Sequence, residues 1–111
     1  MTRFEPGDIL LLAFPFSGEP AVKQRPAVVV LDTGDADVLV ARITTQACGT
    51  RYDVVVAAWQ LAGLLAPSYV RSHKLAVIEK RLVKRKLGAL QQADWKSFRK
   101  TFQQIYCGDR G

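Results

Sequence analysis

Five strand-like segments of five to ten residues, most of them apolar and separated by short connections, fill much of the first two-thirds of the chain. A chain punctuated this way has no room for long helices there and must pair strands instead. Ile9–Phe14 ends at Pro15, which cannot donate to a ladder. The stretch Ser17–Gln24 is polar and carries Gly18 and Pro20 as turn formers. Ala27–Leu31 is opened by Pro26 and rich in valine, and Asp32-Thr33-Gly34-Asp35 then reads as a hairpin turn. In Val38–Thr45, Val38, Val40 and Arg42 alternate with Leu39, Ala41 and Ile43. Tyr52–Val56 is a fourth strand and Tyr69–Ile78 a fifth. Several runs are apolar on both faces, as in a small closed barrel or half-barrel.

Two helices are expected around this sheet. A short one is placed at Ala57–Leu65, ended by Pro67. The second runs from about Gln92 to Tyr106, where Trp95, Phe98, Phe102 and Ile105 recur at helical spacing. Lys96, Arg99, Lys100 and Gln103 fall off that stripe, and Gly108 stands just past its end. The stripe makes this helix a lid on the barrel, with its aromatic residues in the core.

The 111 residues suit one domain, 1–111, with no repeat or linker-like stretch. The early apolar run is too short, and too acidic at its start, for a signal peptide or a spanning helix. A cytoplasmic protein without membrane contact is therefore expected. Cys48 and Cys107 have no metal-type spacing and read as two reduced thiols. Charge is uneven. Residues 71–100 hold ten basic and two acidic side chains, while the rest hold six basic and eight acidic. That excess points to a polyanion or an acidic protein partner.

Several chemistries are absent. No phosphate-cradling glycine loop or dinucleotide fingerprint is present. His73 is the single histidine, which excludes a two-histidine acid–base pair within one chain. Asp32, Asp35 and Asp37 do not match a calcium loop and read as an aspartate-rich turn. No metal site and no cofactor is expected. What remains is polar residues at the ends of apolar strands. Arg25 is held extended by Pro26, and Thr44, Thr45 and Gln46 close the third strand. Tyr52 and Trp59 are candidates to stack on bases, although burial in the core is the expected fate of Trp59.

These pieces fall in a familiar order. Gly7-Asp8-Ile9-Leu10-Leu11 with Phe14-Pro15-Phe16-Ser17 resembles the opening strand of MazF/PemK-like toxins. Lys23-Gln24-Arg25-Pro26-Ala27-Val28-Val29-Val30 resembles their second strand, and Arg42-Ile43-Thr44-Thr45-Gln46 the end of the third. Ser68-Tyr69-Val70, Lys74-Leu75 and the segment from Leu82-Val83 to Leu87-Gly88-Ala89-Leu90 resemble the last strand and the approach to the final helix. The match runs in order over nearly the whole chain.

The resemblance implies a mainly β fold with helices, a small SH3-like barrel of the CcdB/PemK type with a C-terminal helix packed on it. It implies the toxin of a type II toxin–antitoxin pair, a homodimer that cleaves single-stranded RNA without metal and is neutralised by a cognate antitoxin. Carried over by position, the catalytic residues are Arg25 and Thr44. Lys23, Thr45, Gln46, Arg51 and Lys74 are grouped with them as RNA contacts. In such cleavage the 2′-oxygen attacks its own phosphate and leaves a 2′,3′-cyclic phosphate and a 5′-hydroxyl. The protein must stabilise the charge on phosphorus, which a guanidinium fork and a hydroxyl donor do. His73 departs from the family pattern, which in many relatives has aspartate before the Lys-Leu pair. Two other readings stay open: a non-enzymatic poison of gyrase like CcdB, and a nucleic-acid-binding barrel that does not cut.

Overall fold

The computed structural model describes residues 2–14, 23–47 and 49–108. It has six strands: β1 (Asp8–Phe14), β2 (Lys23–Leu31), β3 (Asp37–Thr44), β4 (Asp53–Val56), β5 (Ser68–Glu79) and β6 (Val83–Ala89). One helix follows, α1 (Gln92–Tyr106). The strands form a single antiparallel sheet in the order β4-β5-β3-β2-β1-β6. The expected architecture, mainly β with a C-terminal helix, is what the chain adopts.

Apolar residues in unbroken runs bury both faces of the sheet. Ile9, Val28, Ala41, Ile43, Val54 and Val70 form one cluster with Phe98 of α1. Their neighbours along the chain, Leu10, Ala27, Val29 and Val40, form a second with Leu12, Val38 and Ile78, covered by Phe4, Leu82 and Val83. Two-sided burial of this kind is what a strongly curled sheet produces. The helix stripe is as expected. Trp95, Phe98 and Phe102 stack in series with ring centroids 5.5 and 5.7 Å apart. Phe98 is buried completely, which stabilises the fold by roughly 1.5–3 kcal/mol.

Three expectations need correction. Residues 57–65 form no helix but a chain of turns, with single bonds such as Ala62 N–H to the Ala58 carbonyl and Leu64 N–H to the Trp59 carbonyl. Gly63 adopts φ +90°, which no helix tolerates, and Pro67 follows too closely for propagation. The segment is instead tied to α1: the Ala57 and Ala58 N–H groups donate to the two oxygens of the buried Asp94 at 3.1 and 2.9 Å. Second, β2 begins at Lys23, so Lys23 and Gln24 belong to a strand and not to a turn. Pro26 is accepted because the β3 pairing starts only at Ala27, where no donor at Pro26 is required. Third, β6 is a sixth strand, paired with β1. The remainder of the expected Ser17–Gln24 turn, Pro15 and Cys48 lie outside the described residues.

The curl is closed by backbone. A Cβ on Gly63 would overlap the Leu87 carbonyl, and one on Gly88 would overlap that of Ala62. The segment after β4 therefore lies directly on β6, bringing the two edges of the sheet together. The aspartates of the β2–β3 connection serve the turn. Asp32 accepts the N–H groups of Phe4 and Gly34 and pairs with Lys80 at 2.9 Å, while Asp35 accepts the Asp37 N–H. Among the described residues, no helix is long and apolar enough to cross a membrane.

Candidate functional site

Residues directly opposite in an antiparallel sheet share a face. Ala27 pairs with Arg42, Arg42 with Arg71, and Arg71 with Asp53, so these make one row across β2, β3, β5 and β4. Thr44 pairs with Tyr69 and Tyr69 with Val55. Two residues before Ala27, Arg25 stands level with Thr44 and extends this second row. Between the rows lie Ile43, Val70 and Val54, all buried on the opposite, helix-covered face. The alternation thus sets the polar residues outward at one end of the sheet.

A cleft opens there. Its floor is apolar, from Leu12, Ala27, Val40 and Ala76, and its rim carries Arg25, Arg42 and Lys74. A second hollow shares Arg25, Pro26 and Arg42 and continues over Thr44, Thr45 and Gln46. The Thr44 hydroxyl oxygen accepts the Gln46 N–H at 3.1 Å, which leaves its own proton to donate. Among the described residues, no carboxylate lines either hollow.

Lys74 reaches the rim because β5 is irregular. Ala41 faces Leu75 but Arg42 faces Arg71, so Ser72, His73 and Lys74 have no partner on β3. This bulge is held from behind: the Ser72 N–H donates to the Tyr52 carbonyl at 3.0 Å, and the Tyr106 hydroxyl donates to the Ser72 carbonyl at 3.2 Å. Bulges re-aim side chains in just this manner. His73, in the same bulge, does not line the cleft and packs 4.7 Å from the Tyr52 ring. Burial pushes its pKa below the usual 6.5, with the cations Arg71 and Lys74 adding to the effect and Asp53 opposing it.

The two hollows therefore bring together Arg25, Thr44, Thr45, Gln46 and Lys74 of the residues expected from sequence. Lys23 is exposed at the start of β2 and lines neither. Arg51 lies outside them too, with its guanidinium 4.9 Å over the Tyr52 ring. Arg42 was missed, though its signal was in plain view: it breaks the apolar period of Val38 and Val40 on one face of β3, two residues before Thr44.

Most of the basic last third stands elsewhere. Lys80, Arg81, Arg85 and Lys86 line a separate hollow with Arg3, at the Asp8 end of β1. Three of these cations are matched by carboxylates: Lys80 by Asp32, Arg81 by Glu79, and Lys86 by Asp8. Among the described residues, no three His, Cys, Asp or Glu side chains converge on one point.

The chain matches, over residues 5–106, a family described as PemK-like, MazF-like toxin of type II toxin–antitoxin system. Its fold is similar to that of Mycobacterium tuberculosis toxin MazF-mt6, at 21% identity and a TM-score of 0.75, covering 95% of this chain and 99% of that one. It is also similar to a chain of a MazE-MazF crystal structure from Deinococcus radiodurans, at 16% identity and TM-score 0.79, over 98% and 100% of the two chains. An endoribonuclease in complex with its cognate antitoxin from a mycobacterial species aligns at 16% identity and TM-score 0.76, over 96% and 97%. No curated protein matches the chain in sequence.

Proposed function

The chain belongs to the PemK-like, MazF-like toxins of type II toxin–antitoxin systems, and from that premise we propose that it is an endoribonuclease that cuts single-stranded RNA at the Arg25 cleft. The observation that carries this reading is the placement of Arg25 and Arg42 where two hollows meet, one apolar-floored with Lys74 on its rim and the other lined by Thr44. An apolar floor suits a flat base, and a cationic rim suits the phosphates on either side of it.

The chemistry follows from what the substrate already holds. The ribose 2′-oxygen bonds to the adjacent phosphorus as its proton leaves, the bond from phosphorus to the 5′-oxygen breaks, and that oxygen takes a proton. The products are a 2′,3′-cyclic phosphate and a 5′-hydroxyl. Because the nucleophile is tethered, the protein's task is to hold the strand and to stabilise the pentacoordinate phosphorus. Arg25 supplies two parallel N–H donors and Thr44 one hydroxyl, on a common row of the sheet. A guanidinium has N–H donors and no acceptor, so Arg25 acts as donor and not as base. The positive charge of the three rim side chains fills the role a metal ion has in other nucleases, which makes the reaction metal-independent in this reading.

The partners follow the family. Relatives of the same fold occur in complex with a cognate antitoxin, and we extend that partner to this chain, together with a homodimeric state and a cytoplasmic site of action. The deciding experiment is incubation of a long single-stranded RNA with the protein in EDTA. Discrete fragments with 5′-hydroxyl ends are expected. Arg25→Ala should slow cleavage by roughly 10²–10³ and Thr44→Ala by on the order of 10². Intact RNA across a varied sequence set would refute the reading and turn attention to a gyrase-type poison.

A further inference from the structure

We propose that Tyr69, flanked by Val55, is the platform on which the protein seats one base of its substrate strand beside the reacting phosphate. The proposal rests on the RNA-cutting reading for the kind of substrate, and on the sheet geometry for the residue.

Tyr69 is the direct cross-strand partner of Thr44, and Val55 is its partner on the other side. The row Arg25, Thr44, Tyr69, Val55 therefore crosses four strands on one face, in steps of about 4.8 Å. Tyr69 is half-exposed, and among the described residues its side chain makes no hydrogen bond and no ring contact. Val55 is 59% exposed, a large apolar side chain with no share in either core cluster. An aromatic ring and an exposed valine beside a cationic cleft form a surface that water wets poorly and a base covers well. Base stacking on such a ring tolerates any sequence, because every base has a π-face.

Among the described residues, the other aromatic side chains that the sequence offers for stacking are already in use. Tyr52 is engaged by the Arg51 guanidinium at 4.9 Å and by the His73 ring at 4.7 Å. Trp59 is half-buried and packs on the main core cluster. Neither residue suggested by the sequence has a ring to spare, and Tyr69 has.

The test measures binding without cleavage, using a mixed-sequence single-stranded DNA 12-mer, which lacks the 2′-hydroxyl. Tyr69→Ala should weaken binding by roughly ten- to a hundredfold, while Tyr69→Phe, which keeps the ring, stays within about twofold of wild type. Thermal unfolding of both variants checks that they fold. A photo-crosslink from a 5-iodouracil-substituted version of the same strand to wild-type protein should map to Tyr69 by mass spectrometry, and needs no variant. Unchanged binding by Tyr69→Ala, a Tyr69→Phe loss as large as that of alanine, or crosslinks found only at other residues would each overturn the proposal. Because none of these readouts depends on cutting, a wild type that leaves RNA intact would sink the nuclease reading and leave the Tyr69 result standing on its own.

Discussion

Replacing Asp94 with alanine should destabilise the protein more than any other single change at a polar residue of α1. The buried carboxylate receives two backbone N–H groups, from Ala57 at 3.1 Å and Ala58 at 2.9 Å. A hydrogen bond to a charged group contributes about 1.5–3 kcal/mol. Ala57 is exposed, so its freed N–H can turn to water, whereas Ala58 is half-buried and its N–H is left poorly solvated. The lower end of the range for each bond therefore applies, which gives about 3 kcal/mol in total. For a domain of this length that is a fall of about 12 °C in melting temperature. Asp94→Asn keeps one acceptor and the side-chain shape and should lose about half as much. Urea denaturation with both variants measures this directly, provided the m-value is unchanged. A loss below about 1 kcal/mol for Asp94→Ala would mean that the 57–65 segment holds its place without the helix, and the reasoning would fail.

Four further outcomes are expected. Gly88→Ala forces β6 away from the Ala62 carbonyl and should cost about 1–3 kcal/mol in thermal unfolding, and Gly63→Ala more, since it adds strain at φ +90°. The Phe4 N–H bond, helped by Lys80 and Gly34 and opposed by burial, holds the Asp32 carboxyl at about 2 against its ordinary 3.8. Its stabilisation is complete above 3.8 and is lost as pH falls towards 2, so Asp32→Asn should flatten the acid limb of a stability–pH curve. His73 has its pKa depressed in the fold, so the unfolded chain gains a proton first and stability falls as pH drops below 6.5. His73→Gln should remove that slope in denaturation series between about pH 7.5 and 5.5. Arg42→Ala should lower the slope of log affinity against log salt for a single strand by about 0.7, one phosphate contact's worth.

Short apolar runs carried most of the fold. Those around Ile9, Val28, Val40 and Val54 are apolar for four residues or more and bounded closely enough to be read as strands. β6 did not announce itself because Lys84, Arg85 and Lys86 interrupt it; they are exposed on an edge strand, where charge is tolerated and useful. The helix expected at 57–65 fails at Gly63, which is left-handed and lies against the Leu87 carbonyl, a contact far away in sequence. The site divides in the same way. Arg25, Thr44, Thr45 and Gln46 sit at strand ends, where their polarity stands out. Lys74 was visible as a residue but not as a rim group, because the bulge that turns it depends on a register change between β3 and β5. Tyr69 could not be told from the core aromatics by composition, since only cross-strand pairing sets it beside Thr44.

The pairing of Asp8 with Ala89 joins the first strand to the last. During synthesis β1 leaves the ribosome before its neighbours and finds β2 soon after, yet its other neighbour, β6, follows only once β2, β3, β4 and β5 have been made. Until then Leu10 and Leu12 lack the cover of Leu82 and Val83, and the segment at Gly63 has nothing to seal against. Long-range closure of this sort is slow compared with local hairpin formation. A chain freed before residue 83 is therefore an open sheet and not a finished barrel, and the order of translation itself delays the moment at which a toxin exists.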